Sequence, residues 1–382
     1  MASEGPLRLL HTADWQIGKG FAFVGGDTAA LLRERRIEML ADLARLAREE
    51  AVDLVLVAGD VFDAQTVADR TLLRTCEQLA AFPVPVVLLP GNHDAARAES
   101  VWSRLDALGA LPEQCIAALA PEPVPVAGGR AVVLPAPLRR RREPEDLTAW
   151  FDEAETAPGV LRIGLAHGTV TGRLPAEAER HNPLAEDRAA TARLDYLALG
   201  DWHGTVEIAP RAWYAGTPEP DGFRGNASGQ ALVVELPGGG ADPVVRPVAT
   251  GRFRFERLAV SLDDAADLDA LEARLEDLPS AGDTLLRLVL AGSLTLEGHA
   301  GLDALLARWD ARLRELEVDR TALVVAATEE ELAAFARDGF VGEAARRLLA
   351  LAESADAEEA TTARDALQLL HAEHRALRRE PS

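Results

Sequence analysis

Apolar runs that halt at a glycine or a polar cluster recur through the first 200 positions of the chain. The clearest is Leu54-Val55-Leu56-Val57-Ala58, which stops at Gly59-Asp60-Val61-Phe62-Asp63. A run of this length bounded by a turn signal reads as a buried strand, with Gly59 free to turn sharply where the backbone leaves the sheet. Asp60 then stands at a strand's carboxyl end, the edge at which layered α/β folds house their ligands.

The same pattern repeats on either side. Leu7 to His11 predicts a strand ending in Thr12-Ala13-Asp14-Trp15-Gln16, and Leu32, Ile37, Leu40, Leu43 and Leu46 give Thr28 to Glu50 helical spacing. A helix from Val67 to Ala81 and a strand from Val84 to Leu89 follow, the strand ending in Pro90-Gly91-Asn92-His93-Asp94. This β-α-β-α-β order predicts parallel strands with right-handed crossovers, so three strand ends lie side by side. After a proline-rich stretch with a strand at Ala131 to Leu134 comes Arg139-Arg140-Arg141-Arg142. Val160 to Ala166 then predicts a strand delivering His167-Gly168, and Tyr196 to Leu199 one delivering Gly200-Asp201-Trp202-His203-Gly204. Trp213-Tyr214 and Ala231 to Leu236 suggest an antiparallel finish, giving an α/β fold of two packed sheets flanked by helices.

Val244 to Val248 reads as one more strand, which places the end of the first domain near Thr250, over residues 1–250. Residues 251–328 predict a smaller α+β domain, with strands at Arg252 to Val260, Leu285 to Leu290 and Thr321 to Ala326 and helices at Leu268 to Leu278 and Leu302 to Leu316. Residues 329–382 predict two Ala- and Leu-rich helices. Their leucines, among them Leu348, Leu349, Leu351, Leu367, Leu369, Leu370 and Leu377, need cover from their own chain or from a partner's groove.

Composition narrows the setting. The 382 residues suffice for two domains or three small ones. No run of about 18 apolar residues occurs and no basic-then-apolar leader opens the chain, so a cytoplasmic protein without membrane contact is expected. Cys76 and Cys115 have no partners at metal spacing and read as buried free thiols. The formal charge is −22, with 24 basic against 35 acidic residues up to position 250 and 16 against 27 beyond it. Neither part can grip a polyanion by overall charge, so a local patch or bound cations must do so. Lys19 is the only lysine, a bias that carries no evidence of phosphate recognition.

The strand ends collect Asp14 with Gln16, Asp60 with Asp63, Asn92 with His93, then His167, then Asp201 with His203. Carboxylates and imidazoles gathered at one edge repel and desolvate badly unless cations are present. Oxygen and imidazole donors without thiolates suit Mn²⁺, Mg²⁺ or Fe²⁺, with Mn²⁺ first, and the ligand count suits two ions with Asp60 bridging.

Asp14-x-Gln16, Gly59-Asp60-x-x-Asp63, Gly91-Asn92-His93-Asp94, His167-Gly168 and Gly200-x-x-His203 resemble the five motifs of the calcineurin-like metallophosphoesterases. Together with His11-Thr12-Ala13-Asp14-Trp15 and Tyr214-Ala215-Gly216-Thr217-Pro218 they resemble, in particular, the SbcD-type DNA repair exonucleases and their YhaO-like relatives. The resemblance implies metal one on Asp14, Gln16, Asp60 and His203, and metal two on Asp60, Asn92, His167 and Asp201. It implies in-line attack of an activated water on a DNA phosphodiester, with His93 protonating the leaving oxygen and Asp94 orienting His93. It further implies an SMC-like ATPase partner of the SbcC/YhaN kind, with homodimerisation an open alternative. Two rivals stand beside it: a phosphoesterase acting on small nucleotides or phosphoproteins, and a non-catalytic adaptor with an eroded site.

The sequence departs from that family at Gln16 and Asp201, where histidines are usual. A neutral amide should hold metal one more loosely, and a third carboxylate lowers the formal charge of a two-cation cluster, favouring a higher pH optimum. Several residues have plainer readings. Asp63 either supports the site or caps a helix, Trp15 and Trp202 either stack on a base or pack beneath the site, and Arg139 to Arg142 are either a DNA clamp or a solvated loop. His371 with His374 reads as surface, and His11 as core or support for the site; His181 and His299 have no assigned role.

Overall fold

The computed structural model describes residues 5–173, 181–326, 328, 339–352, 354 and 356–379. The chain divides into two compact units, Met1–Arg252 and Phe253–Ser382.

The first unit holds two six-stranded sheets. One runs, edge to edge, through Val244–Ala249, Gln230–Leu236, Leu7–Thr12, Leu54–Val57, Val86–Leu88 and Cys115–Ala117. The other runs through Val206–Ala209, Ala212–Tyr214, Tyr196–Gly200, Leu161–His167, Ala131–Ala136 and Val124–Val126. Alternate residues of each strand serve different cores, because successive side chains point to opposite faces. Leu54 and Leu56 join the cluster of Leu9, Val87, Ile163, Leu165 and Ala198, which mixes residues of both sheets and lies between them. Val55 and Val57 face the other way, with Leu40, Leu43, Leu72 and Leu79 of the helices Gly26–Glu49 and Asp69–Leu79. A strand covered on both faces carries no polar alternation, which is why the Leu54 run is uniformly apolar.

The β-α-β-α-β start is parallel as expected: Leu7–Thr12 pairs with Leu54–Val57, and Leu54–Val57 with Val86–Leu88. The later strands differ in part. Val206–Ala209, Gln230–Leu236 and Val244–Ala249 pair antiparallel, whereas Ala212–Tyr214 lies parallel to Tyr196–Gly200. The turn that follows Gly200 sends the chain out to the sheet's edge strand Val206–Ala209, and a tight hairpin brings Ala212–Tyr214 back in the original direction.

Within the second unit, Arg254–Leu262, Thr284–Leu294 and Glu315–Val325 form a parallel three-stranded sheet. The helices Ala265–Glu276 and Leu296–Asp310 are its crossovers, burying Leu271, Leu275, Leu302, Leu306 and Trp309 against Leu286, Leu288 and Leu290. Thr295 caps the second helix by accepting from Gly298 N–H. The His299 ring is tied at both nitrogens: Nε2 donates to the Val324 carbonyl over 3.3 Å, and Nδ1 accepts from Gln368 over 3.0 Å.

The closing helices are Gly339–Ala352 and Ala357–Arg379, and residues 329–338 of the expected helical stretch lie outside the described residues. Leu348, Leu349, Leu367 and Leu370 find cover inside the unit, with Leu296, Val325 and Val341. Leu351 and Leu369 stay exposed, as does Phe340 at 87%. His371 is buried rather than at the surface, 3.8 Å from Glu297, because the helix turns this position inward; the side chains of His374 and Leu377 lie outside the described residues. Cys76 and Cys115 are buried free thiols, with burial raising them to about 11 and about 12.

Candidate metal centre

Two glycines allow the two sheets to meet at their carboxyl edge. A Cβ on Gly59 would lie 2.1 Å from His167 Nδ1, and one on Gly200 would lie 1.9 Å from the Ala58 carbonyl. Any side chain at either place would push the sheets apart. The chain also bends abruptly here: Asp14, Gln16, Asp60 and Asp201 all have positive φ, of 52°, 49°, 51° and 103°. Each such residue costs on the order of 1 kcal/mol or more, a strain typical of functional strand ends.

This edge gathers the residues expected from the sequence. Donor atoms of Asp14, Asp60 and His167 all lie within 4.8 Å of one another. His167 Nε2 is 3.5 Å from Asp60 Oδ1 and 3.6 Å from Asp201 Oδ1, and His203 Nε2 is 4.0 Å from Asp14 Oδ1. Gln16 donates its amide N–H to Asp60 Oδ2 over 2.8 Å, and Asn92 donates to Asp201 Oδ1 over 3.3 Å. Since a carboxylate only accepts, each amide must turn its NH₂ toward the acid and its oxygen away. Those two oxygens, Gln16 Oε1 and Asn92 Oδ1, are buried without a hydrogen-bond partner among the described residues, and so is His167 Nε2.

Three orphaned lone-pair atoms beside three carboxylates fit divalent cations, since unsatisfied buried acceptors are otherwise costly. His167 has the right tautomer for a ligand, because its Nδ1 donates to the Ala58 carbonyl over 2.8 Å and leaves Nε2 facing the acids. Without cations, protons do the neutralising. Burial pushes Asp14 up to about 6, and Asp60, Asp14 and Asp201 hold His167 up at about 9 against its own desolvation. Asp201 is likewise raised by burial while accepting from Thr169 over 2.9 Å.

His93 stands at the rim, its side chain 32% exposed and its Nε2 4.0 Å from Asp60 Oδ2. Asp94 does not orient it, contrary to expectation. His93 Nδ1 instead donates to the Asp63 carbonyl over 2.7 Å, while the buried Asp94 accepts from the Gly91 and Phe62 amides over 2.6 and 3.1 Å. Asp94 therefore braces the loop that carries Asn92 and His93; burial, with Asp60 nearby, raises it to about 8. Asp63 caps no helix, for Asp69–Leu79 begins after Ala68.

Sequence reasoning missed the support beneath His203. Asp221 lies 2.9 Å from His203 Nδ1 as an ion pair and 2.5 Å from Lys19 Nζ, and these cations hold its carboxyl well below the usual range. The fully buried Arg36 clamps the flanking segments, donating to the Trp15 carbonyl over 2.7 Å and to the Glu219 carbonyl over 2.9 Å. An isolated acid in Pro220-Asp221-Gly222 resembles any turn, so the one available signal was its place just past Tyr214 to Pro218. Tyr214 itself donates to the Gly168 carbonyl over 2.6 Å and accepts from Val170 N–H, fixing the His167 loop.

Trp15 is wholly buried with its Nε1 donating to Thr12, and Trp202 packs in the outer core, so packing rather than base stacking describes both. His11 is a core residue between Tyr196 and the Leu199 carbonyl.

The comparisons with known proteins agree with the geometry. The chain is 32% identical to the D subunit of nuclease SbcCD from Rhodobacter capsulatus, over 85% of this chain and 91% of that one. It is 24% identical to the uncharacterized metallophosphoesterase YhaO of Bacillus subtilis, over 75% and 72%. With the D subunit of nuclease SbcCD from Escherichia coli K12 it shares 27%, over 57% and 62%. A crystal structure of TT1561 of Thermus thermophilus overlaps at TM-score 0.40 and 15% identity, covering 64% of this chain and 99% of that one, too loosely to add weight. Residues 7–205, the span that carries all five strand-end clusters, match the family model of the calcineurin-like phosphoesterases, and the chain belongs to that family.

Proposed function

We propose that this metal-dependent phosphoesterase is a DNA nuclease that cuts phosphodiesters with two divalent cations, Mn²⁺ first among them. It would act in the cytoplasm with an SMC-like ATPase of the SbcC/YhaN kind. The observation that carries the metal site is the set of three buried, unpartnered donors, Gln16 Oε1, Asn92 Oδ1 and His167 Nε2, on side chains that touch the same carboxylates. The DNA substrate and the ATPase rest on the SbcD relatives. Among the described residues no helix is long and apolar enough to cross a membrane.

The contacts divide the ligands into two groups that share Asp60. Asp14, Gln16, Asp60 and His203 would hold one ion, and Asp60, Asn92, His167 and Asp201 the other. Bound divalent cations supply an acidified water and neutralise charge that builds on the phosphoryl oxygens. The protein's own work is to hold donors in place and to handle the leaving group's proton. His93 is suited to that second task. Its Nδ1 is committed to the Asp63 carbonyl, so its imidazolium has one proton to give, on Nε2 at the rim. Asp94 supports this role only by fixing the loop.

Residues 1–250 are proposed as the nuclease domain, 251–328 as a capping domain, and 329–382 as a docking segment that offers Phe340, Leu351 and Leu369. The test is release of nucleotides from end-labelled DNA with Mn²⁺, set beside turnover of bis-p-nitrophenyl phosphate and repeated with Asp60→Ala. The proposal expects both substrates to be cut and both activities to vanish in the variant. Turnover of the small diester without DNA cleavage would replace it with a small-nucleotide or phosphoprotein phosphoesterase, and turnover of neither with an adaptor.

A further inference from the structure

We propose that Arg139-Arg140-Arg141-Arg142 is a phosphate anchor, binding the nucleic acid strand where it runs on from the scissile bond. This rests on the nuclease reading above and names how an acidic chain would hold its polyanion. All four arginines are exposed. They follow the strand Ala131–Ala136, which is hydrogen-bonded in parallel to Leu161–His167, so they emerge at the same sheet edge as His167.

The segment is tied at both ends to loops of the metal centre. At its start, Leu138 N–H donates to the Pro90 carbonyl over 3.4 Å, and Ala96 N–H donates to the Leu138 carbonyl over 2.8 Å. Those bonds join it to the loop that carries Asn92 and His93. At its far end, the buried Asn182 accepts from Glu143 N–H over 2.6 Å and donates to the Arg141 carbonyl over 3.3 Å. The Asn182 carbonyl in turn accepts from Thr169 N–H over 3.0 Å, two residues beyond His167. Four guanidinium groups thus stand on a short span fixed between two loops of the site.

Charge points the same way. Arg140 is paired with Glu143 at 2.6 Å, but among the described residues no carboxylate pairs with Arg139, Arg141 or Arg142. Unpaired guanidinium groups on a fixed backbone suit phosphate oxygens, and they offer the local patch that a chain of net charge −22 otherwise lacks. A cavity of about 560 Å³ adjoins Arg139 and Arg140, but Glu143, Glu145 and Asp146 also line it and would repel a phosphate inside. The anchor is therefore the exposed run itself.

The experiment compares full-length protein with the triple variant R139A/R141A/R142A, which leaves the Arg140 pair intact, using Mn²⁺ with bis-p-nitrophenyl phosphate and with a labelled oligonucleotide. The small diester should be turned over within about twofold of the parent rate, which also shows that the variant is folded. On the oligonucleotide kcat/KM should fall at least tenfold, mainly through KM. Its dependence on log salt should flatten by about 2, at roughly 0.7 for each single-strand phosphate that is no longer neutralised. A lysine triple at the same positions should recover most of the loss, as point charges still meet phosphates. Parent-like kcat/KM and salt dependence in the alanine variant would overturn the anchor while leaving the nuclease reading standing. A parent protein that turns over the diester but not DNA would overturn both.

Discussion

Gln16 donates its amide to Asp60 Oδ2 over 2.8 Å and leaves its own oxygen buried and unpartnered. The amide thereby does two jobs, aiming the shared acid and offering a neutral donor of its own. Gln16→Ala should weaken one of two Mn²⁺ ions by about tenfold or more and spare the other, on the scale at which ligand support acts. Calorimetric titration with Mn²⁺ reads the two affinities separately. Equal weakening of both ions would place Gln16 behind the site rather than in it.

The bond from His93 Nδ1 to the Asp63 carbonyl fixes which nitrogen can give up a proton. His93→Gln should lower kcat about 10² to 10⁴-fold on DNA, whose leaving alkoxide needs a proton, with a smaller loss on a p-nitrophenyl diester, whose leaving group needs little help. Metal content should be unchanged. Equal losses on the two substrates would remove His93 from the protonation step.

Asp221 orients His203 and is itself neutralised by Lys19. Asp221→Asn keeps the size and removes the charge, so metal affinity should drop about 10- to 100-fold. Raising Mn²⁺ should restore the rate. A loss that added metal cannot rescue would show that Asp221 serves the fold alone.

These cases show what the sequence could and could not reveal. Asp14, Asp60, Asn92, His167, Asp201 and His203 were legible because each follows an apolar run that can only be a buried strand, and parallel strands present their ends at one edge. Asp94 misleads because adjacency to His93 suggests a side-chain partner, whereas a tight turn spends its acid on backbone amides. Asp221 and Arg36 were invisible because their partners lie far off in sequence, Asp221 with His203 and Arg36 with Trp15 and Glu219. Ala212–Tyr214 ran the unexpected way because strand direction depends on the route taken by the preceding loop. His371 read as surface because one histidine carries no periodicity to show its face.

His11 gives the fold a pH dependence whose sign is fixed by burial. Desolvation lowers it from 6.5 to about 3, so the native state keeps it neutral while the unfolded chain takes up a proton below about 6.5. Its contribution is fully present above pH 6.5 and is lost as the pH falls toward 3. Between pH 7 and 5 the loss is about 2 kcal/mol. Urea unfolding of metal-free protein should show a smaller fall over that interval in His11→Gln than in the parent. An identical fall in both would mean that His11 is solvated.

The account turns on Asp60 as the acid shared by two cations. Metal-free protein titrated with Mn²⁺ in a calorimeter should bind two ions per chain, and Asp60→Asn should bind neither with comparable affinity. Full-strength binding of two ions by the variant, or no binding by the parent, would contradict it.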